Sequence, residues 1–357
     1  MKNGPEPAAY EERVGSQLRN LYASYGYAPF KVCKFEPYDF YSANKSFITG
    51  DHILTFTDIN GKLMALKPDV TLSIVKNYTS GQKKVYYHEN VYRESRNAGE
   101  FGEIPQAGIE CIGTVDKVQQ AEVLSMATQS LAIISDHWIL NIASMKLISA
   151  LVSATGAGTE KVKALLSCLK EKNRHEIRKL TATEDRPVSL AWETLASFYG
   201  PFERIAELRD ISFNSGMLEA CDEMDSLAEG FSEKELSHIR IDFSIISDEA
   251  YYNGLVFKGY VEGVHTAILS GGRYDRLAGH LGKQAQAVGF AVYLDMLNSL
   301  SARDPAISPD VLVLYGNDVP LSRVAEEAGL LRSEGRRVLC LPKSAPPDGA
   351  YADIVEL

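Results

Sequence analysis

The stretch Glu103-Ile-Pro-Gln-Ala-Gly-Ile-Glu-Cys-Ile-Gly113 places Gln106, Gly108 and Glu110 two residues apart. At that period the three share one face of a β-strand. A Gln and a Glu side by side, with Gly leaving room between them, form a socket for an ammonium group. A solvated sheet face would use the same residues, and the stretch alone leaves both readings open. Immediately upstream, Lys84–Glu94 reads as a strand paired with Gly108–Thr114 through a polar loop, Ser95–Glu103. That strand ends in Asn90-Val-Tyr-Arg-Glu94. Arg93 there can clamp a carboxylate or phosphate with two parallel hydrogen bonds, or form a surface ion pair.

Further out lie two more polar groups at strand ends. In Leu66-Lys-Pro-Asp-Val-Thr71, Pro68 opens a helix running to about Tyr78. Asp69 then sits in its first turn, where the helix dipole favours a carboxylate; a plain helix cap is the alternative. Downstream, Ala250-Tyr-Tyr-Asn-Gly-Leu-Val-Phe257 supplies paired tyrosines, and Leu269-Ser-Gly-Gly-Arg-Tyr-Asp-Arg276 supplies adjacent glycines. Tyrosines can wall a pocket for a flat ring, and glycines let a ligand approach the backbone closely. Core and turn are the other uses of these pieces.

The rest of the pattern is α+β. A helix is predicted over Pro7–Tyr25, strands and a turn around Pro37 over Tyr27–Phe56, and a hairpin at Asp58-Ile-Asn-Gly61 before a short strand, Lys62–Lys67. An amphipathic helix follows over Asp116–Ser135 and a strand over His137–Ile142. Met145–Leu236 reads as helical throughout, punctuated by Gly156, Gly158 and Tyr199-Gly-Pro201. Strands return at Ile239–Ile246, Tyr251–Val261 and His265–Ser270, and Ala287–Asn298 reads as a buried strand-to-helix segment. Ser301–Pro309 suits a linker. Beyond it Asp310–Tyr315, a helix from Leu321 to about Glu334, and Arg337–Leu341 make one β-α-β unit, and Ala345–Leu357 is expected not to extend its sheet. The expectation is a mostly antiparallel sheet flanked by helices in residues 1–300, with a helical insert over about 145–236, and a small α/β unit over 301–357.

Composition narrows the function classes. Of 357 residues, 45% are apolar and 24% charged, as in globular proteins that bury a real core. No apolar run is long enough to span a bilayer and no secretory signal opens the chain, so a cytoplasmic location is expected. The five cysteines are scattered, without CxxC pairs or histidines at ligand spacing, so neither disulfides nor a metal site is expected. The net charge of −10 and the lack of a Lys/Arg stripe argue against a nucleic-acid partner.

Taken together, PDVT, then VYRES and GEIPQAGIECIG, then YYNGLVF, then GGRYDRL and AVGFAVYLD resemble the catalytic core of the histidine–tRNA ligase family, in order and in spacing, over roughly residues 7–300. The resemblance implies a class II synthetase fold and a homodimer through the region around Pro37. It also implies a histidine pocket. Asp69 and Thr71 match the groups at the α-amino end, Gln106 and Glu110 two further pocket members, Tyr251 and Tyr252 the tyrosines around the imidazole, Gly271, Gly272 and Gly289 the pocket floor, and Arg93 the motif 2 arginine.

The departures from the family decide the expected function. Synthetases of this class neutralise a bent triphosphate with arginines, whose permanent charge and forked geometry suit phosphate. Glu100 stands where the loop after motif 2 carries arginine. Ser247 stands at the arginine of the family's VRGLDYYN, and Met296 at that of its GLxRL. Losing one preorganised charge costs about 10²–10³ in rate. The resemblance therefore implies a chain without catalytic residues or cofactor that keeps its amino-acid pocket. Within the family, this pattern is similar to the regulatory subunits of the short-form ATP phosphoribosyltransferase, the first enzyme of histidine biosynthesis. Those imply a hetero-oligomer with the catalytic subunit, activation, and feedback by L-histidine. A divergent histidine–tRNA ligase forming histidyl-adenylate is the alternative reading.

Overall fold

The structure is a computed structural model that describes residues 9–48, 52–94, 101–246, 251–300, 310–345 and 351–357. Glu100, Ser247 and the expected linker at Ser301–Pro309 lie outside them. The chain divides into two compact units, Glu11–Leu300 and the smaller Met1–Tyr10 with Ser301–Leu357.

In the larger unit, helix Ala9–Ser24 leads to β1 (Ala28–Pro29). A small antiparallel sheet follows, made of β2 (Phe35–Pro37), β3 (Thr55–Thr57) and β4 (Leu63–Leu66) in the order β2-β4-β3. The β3–β4 turn is the one read from Asp58-Ile-Asn-Gly61. Asp58 Oδ1 accepts from the backbone N–H groups of Asn60 and Lys62, both at 2.8 Å, and Gly61 takes the left-handed φ of +79° that the turn requires. Where strands were expected after Pro37, a helix, Tyr38–Ala43, and a 3-10 turn, Lys45–Phe47, are found instead. Proline has no N–H to lose at a helix start, so Pro37 opens the helix as readily as it turns a strand.

The principal sheet adds β5 (Lys83–Glu94), β6 (Phe101–Gly113), β7 (Trp138–Ser144), β8 (Tyr199–Pro201), β9 (Ile239–Asp242), β10 (Leu255–Val261), β11 (Leu269–Arg273) and β12 (Gln286–Tyr293). Its nine strands run β1-β5-β6-β12-β11-β10-β7-β9-β8, antiparallel except for the β1–β5 and β7–β9 pairs. The β5–β6 hairpin is longer than expected: pairing continues to Glu94↔Phe101, so Phe101–Glu103, read as the end of the loop, are strand, and the strand runs on unbroken through Ile104–Ala107. Strand β10 begins at Leu255 and β11 at Leu269, each later than the apolar runs suggested, and Tyr199–Pro201 is an edge strand where a break was read.

One face of this sheet, the back, is covered by helices. Tyr22 of the first helix meets Phe290 edge-to-face at 5.8 Å, and Leu131 of helix Lys117–Ile134 packs where Gly259 leaves space. Asp116 starts that second helix with a capping box to Gln119. The insert, from Met145–Thr155 to Glu233–Leu236, is helical as read. Its Trp192 is fully buried and donates to Thr155 Oγ1 at 2.9 Å. The front face carries Val85, Tyr87, Val91, Ile112 and Ala287 under Leu72, Ile74, Tyr274 and Leu277.

The smaller unit contains β13 (Val311–Tyr315), helix Leu321–Ser333, β14 (Val338–Pro342) and β15 (Asp353–Glu356). The β-α-β reading holds, but the expectation that the last stretch adds nothing does not: β15 pairs in parallel with β13, completing a sheet in the order β14-β13-β15. Four residues suffice for an edge strand, and alternation over so short a run carries little signal.

Candidate functional site

Strand register builds the site in rows across the front face. Glu110 lies opposite Gly289, which lies opposite Gly272; Gly108 lies opposite Ala291 and Tyr87; Gln106 lies opposite Tyr293 and Glu89. The row of small residues makes a floor. A Cβ on Gly289 would overlap the Glu110 carboxylate and the Ile109 carbonyl, so only glycine lets that acid lie flat on the sheet.

Two hydroxyls hold Glu110. Thr71 Oγ1 donates to Oε1 at 2.6 Å, and the Tyr274 hydroxyl donates to Oε2. The residue is 2% exposed, and among the described residues no cation pairs with it. Burial pushes its pKa up to about 8; Asp69 adds to the rise while the two hydroxyls oppose it.

Asp69 and Thr71 arrive together because the PDVT segment turns into a helix above the floor. That helix is Thr71–Asn77, so Asp69 precedes it instead of sitting in its first turn as expected. Asp69 Oδ1 accepts from the Leu72 N–H at 2.8 Å, the role of a cap. Its other oxygen lies 3.5 Å from Arg93 Nη2, and Arg93 Nε donates to the Pro68 carbonyl. Burial raises the Asp69 pKa, against the lowering effect of Arg93 and of the backbone N–H groups.

Tyr251 and Tyr252 form the far wall, their rings edge-to-face at 4.6 Å, with the Tyr252 ring over Gly272. Gln106 is 3% exposed and its Nε2 has no acceptor among the described residues. A buried N–H2 without a partner costs on the order of 1–3 kcal/mol, which a bound acceptor would recover.

The structure thus brings Asp69, Thr71, Arg93, Gln106, Glu110, Tyr251, Tyr252, Gly272 and Gly289 together over the front face of the sheet, the region termed the recess. Gly271 is a correction. It faces the back of the sheet, where a Cβ would meet Phe257 and Phe290, because consecutive strand residues point to opposite sides. Sequence reasoning missed Tyr274 and Tyr87, both nearly fully buried here, and the pair Lys67–Glu89 at 2.5 Å beside the Gln106 row. Tyr274 lay inside the quoted GGRYD motif. Tyr87 shares the face of Val85 and Val91 by alternation, the one signal that could have found it.

Chemically, the recess offers two acids and a hydroxyl to a cationic group, aromatic walls to a flat ring, and an amide donor to an anionic end. Among the described residues, the cations beside it are paired, Arg93 with Asp69 and Lys67 with Glu89; Met296, at one of the expected arginine positions, presents a thioether that accepts from Thr266 Oγ1 at 3.4 Å. Among the described residues no cluster of three His, Cys, Asp or Glu could hold a metal ion, and no helix is long and apolar enough to cross a membrane.

An antiparallel sheet with buried acids over its front face, interrupted by a helical insert, is the class II synthetase-like fold. The sequence pattern of the family described as Histidyl-tRNA synthetase matches residues 2–297, and the chain belongs to that family. An ATP phosphoribosyltransferase regulatory subunit from Caldanaerobacter subterraneus is 28% identical, over 94% of this chain and 90% of its own. The crystal structure of an ATP phosphoribosyltransferase regulatory subunit/histidyl-tRNA synthetase from Bacillus halodurans covers 100% of this chain and 96% of its own at a TM-score of 0.80 and 23% identity. A chain of the ATP phosphoribosyl transferase (HisG:HisZ) complex from Thermotoga maritima matches with a TM-score of 0.61 and 20% identity, covering 80% of this chain and 97% of its own.

Proposed function

We propose that this chain is the non-catalytic regulatory subunit of an ATP phosphoribosyltransferase, acting in the first step of histidine biosynthesis, and that L-histidine binds in the recess over β6 and β12. The carrying observation is Glu110: a buried acid with no cation beside it among the described residues, on a glycine floor, between two hydroxyl donors, so that its proton gives way only to a positive partner. Such a group waits for a positive ligand. The relative named as a regulatory subunit, matched over nearly its whole length, supports the same role here. Feedback then follows from linkage, since histidine acts only by binding one state of the complex better than another.

The assembly has support of its own kind. On the small sheet Phe35 is 48% and Phe56 37% exposed, with their rings edge-to-face at 5.5 Å, and Leu63 and Ile59 are exposed beside them. An apolar patch of this kind suits a homodimer through the β2–β4 sheet. The catalytic transferase subunit is the second partner in this reading, and tRNA is not one.

Histidine-dependent ATP–pyrophosphate exchange tests the non-catalytic half of the proposal. No exchange above background is expected. Robust exchange would favour a histidine–tRNA ligase that has lost the usual arginines and found others.

A further inference from the structure

We infer that Lys67 and Glu89 are positioning residues for the amino-acid recess, their buried ion pair fixing where the backbone delivers Asp69. The inference rests on the pocket proposed above and adds two side chains that hold it in shape without touching the ligand.

Lysine is almost never fully buried unless it is paired. Lys67 is 1% exposed and its Nζ donates to Glu89 Oε2 at 2.5 Å. Glu89 lies on β5 between Tyr87 and Val91, on the face that alternation also gives to Arg93. Its other oxygen accepts from the Val32 N–H at 3.3 Å, which draws in the segment leading to β2.

The pair holds the stretch between the end of β4 at Leu66 and the start of the helix at Thr71. Pro68, inside that stretch, has no N–H to contribute. Strand β5 grips the stretch at three points instead. The Lys67 side chain reaches Glu89, the Lys67 carbonyl accepts from the Tyr92 N–H at 2.9 Å, and the Pro68 carbonyl accepts from Arg93 Nε. On the other side, the Lys67 N–H donates to the Lys34 carbonyl at 2.9 Å. Asp69 is the next residue along.

A buried ion pair adds little net stability, because desolvation offsets the attraction. Its contribution here is geometric: an acceptor fixed on a long strand admits the lysine at one position, and Asp69 follows two residues later. Binding groups have to be held to within about 0.5 Å, so a small drift at Lys67 is felt at Asp69.

The test is calorimetry with L-histidine on the full chain, alongside the melting temperature. Lys67→Met combined with Glu89→Gln removes both charges, keeps both side chains near their native size and leaves an acceptor for Val32. This double variant should melt no lower than wild type and bind histidine at least tenfold more weakly. Lys67→Arg keeps the charge and should stay within threefold of wild-type affinity. In an Asp69→Asn background the same double substitution should cost less than threefold, since its effect runs through Asp69. Wild-type affinity in the folded double variant, or an equal loss with and without Asp69, or an equal loss in Lys67→Arg, overturns this inference alone. A double variant that fails to fold or melts lower also overturns it, by making the pair a structural one. Absence of histidine binding to the wild-type chain overturns the pocket reading itself, and this inference with it.

Discussion

Glu110 concentrates the chemistry of the recess into one titratable group. Its ordinary pKa of 4.5 rises to about 8 in the fold, so near neutrality the folded chain holds a proton there that the unfolded chain does not. As pH climbs from about 4.5 to about 8, that proton is stripped from a fold that favours it. This contribution to the stability of the unliganded chain therefore falls across the window. A cationic ligand reverses the preference and expels the proton. Histidine binding at pH 7 should release close to one proton, read by calorimetry in buffers of different ionisation enthalpy; release near zero would remove Glu110 from the contact. Glu110→Gln keeps the two hydroxyl partners and removes the charge. It should weaken histidine binding by roughly 10- to 150-fold, the worth of one charge-assisted hydrogen bond, while leaving the melting temperature unchanged or higher.

At the scale of elements, the insert is clasped to the sheet by a residue in an unfavourable conformation. Helix Thr159–Lys170 ends with Asn173 N donating to the Cys168 carbonyl and Lys172 N to the Leu169 carbonyl, a Schellman turn whose left-handed position normally takes glycine. Lys172 occupies it at φ 55°, the sole non-glycine residue at positive φ among those described. Its ammonium reaches buried Asp242 of β9 at 3.2 Å and lies over the Tyr199 ring at 4.9 Å. Lys172→Ala keeps the strain and loses the pair, and should cost about 1–2 kcal/mol in chemical denaturation. Lys172→Gly should recover about 1 kcal/mol of that; equal effects of the two would show that strain plays no part. None of this was legible in the sequence, since neither a positive φ nor an ion pair 70 residues apart leaves a local mark. Period-two and period-3.6 patterns did expose the long strands, the capped helix after Asp116 and the helical insert. They failed at Pro37, where a strand turn and a helix start share the same residue, and at β15, too short to show a period. In the site, motif order located most of the recess, but adjacent glycines could not be assigned to faces until the register was known. Gly271 fell on the wrong one.

On the scale of the whole molecule, an overall charge of −10 and the pairing of Lys67 with Glu89 and of Arg93 with Asp69 accord with the proposed reading of an amino-acid site in place of a nucleotide site. A cleft of that kind has regulatory value only when another protein reads its occupancy. The decisive measurement is the activity of a short-form ATP phosphoribosyltransferase catalytic subunit, reconstituted with this chain and titrated with L-histidine. The account predicts that wild-type chain raises the activity and makes it sensitive to histidine, and that Glu110→Gln chain raises it equally but moves inhibition to at least tenfold higher histidine. Activation without histidine sensitivity, or inhibition indifferent to Glu110, would contradict it.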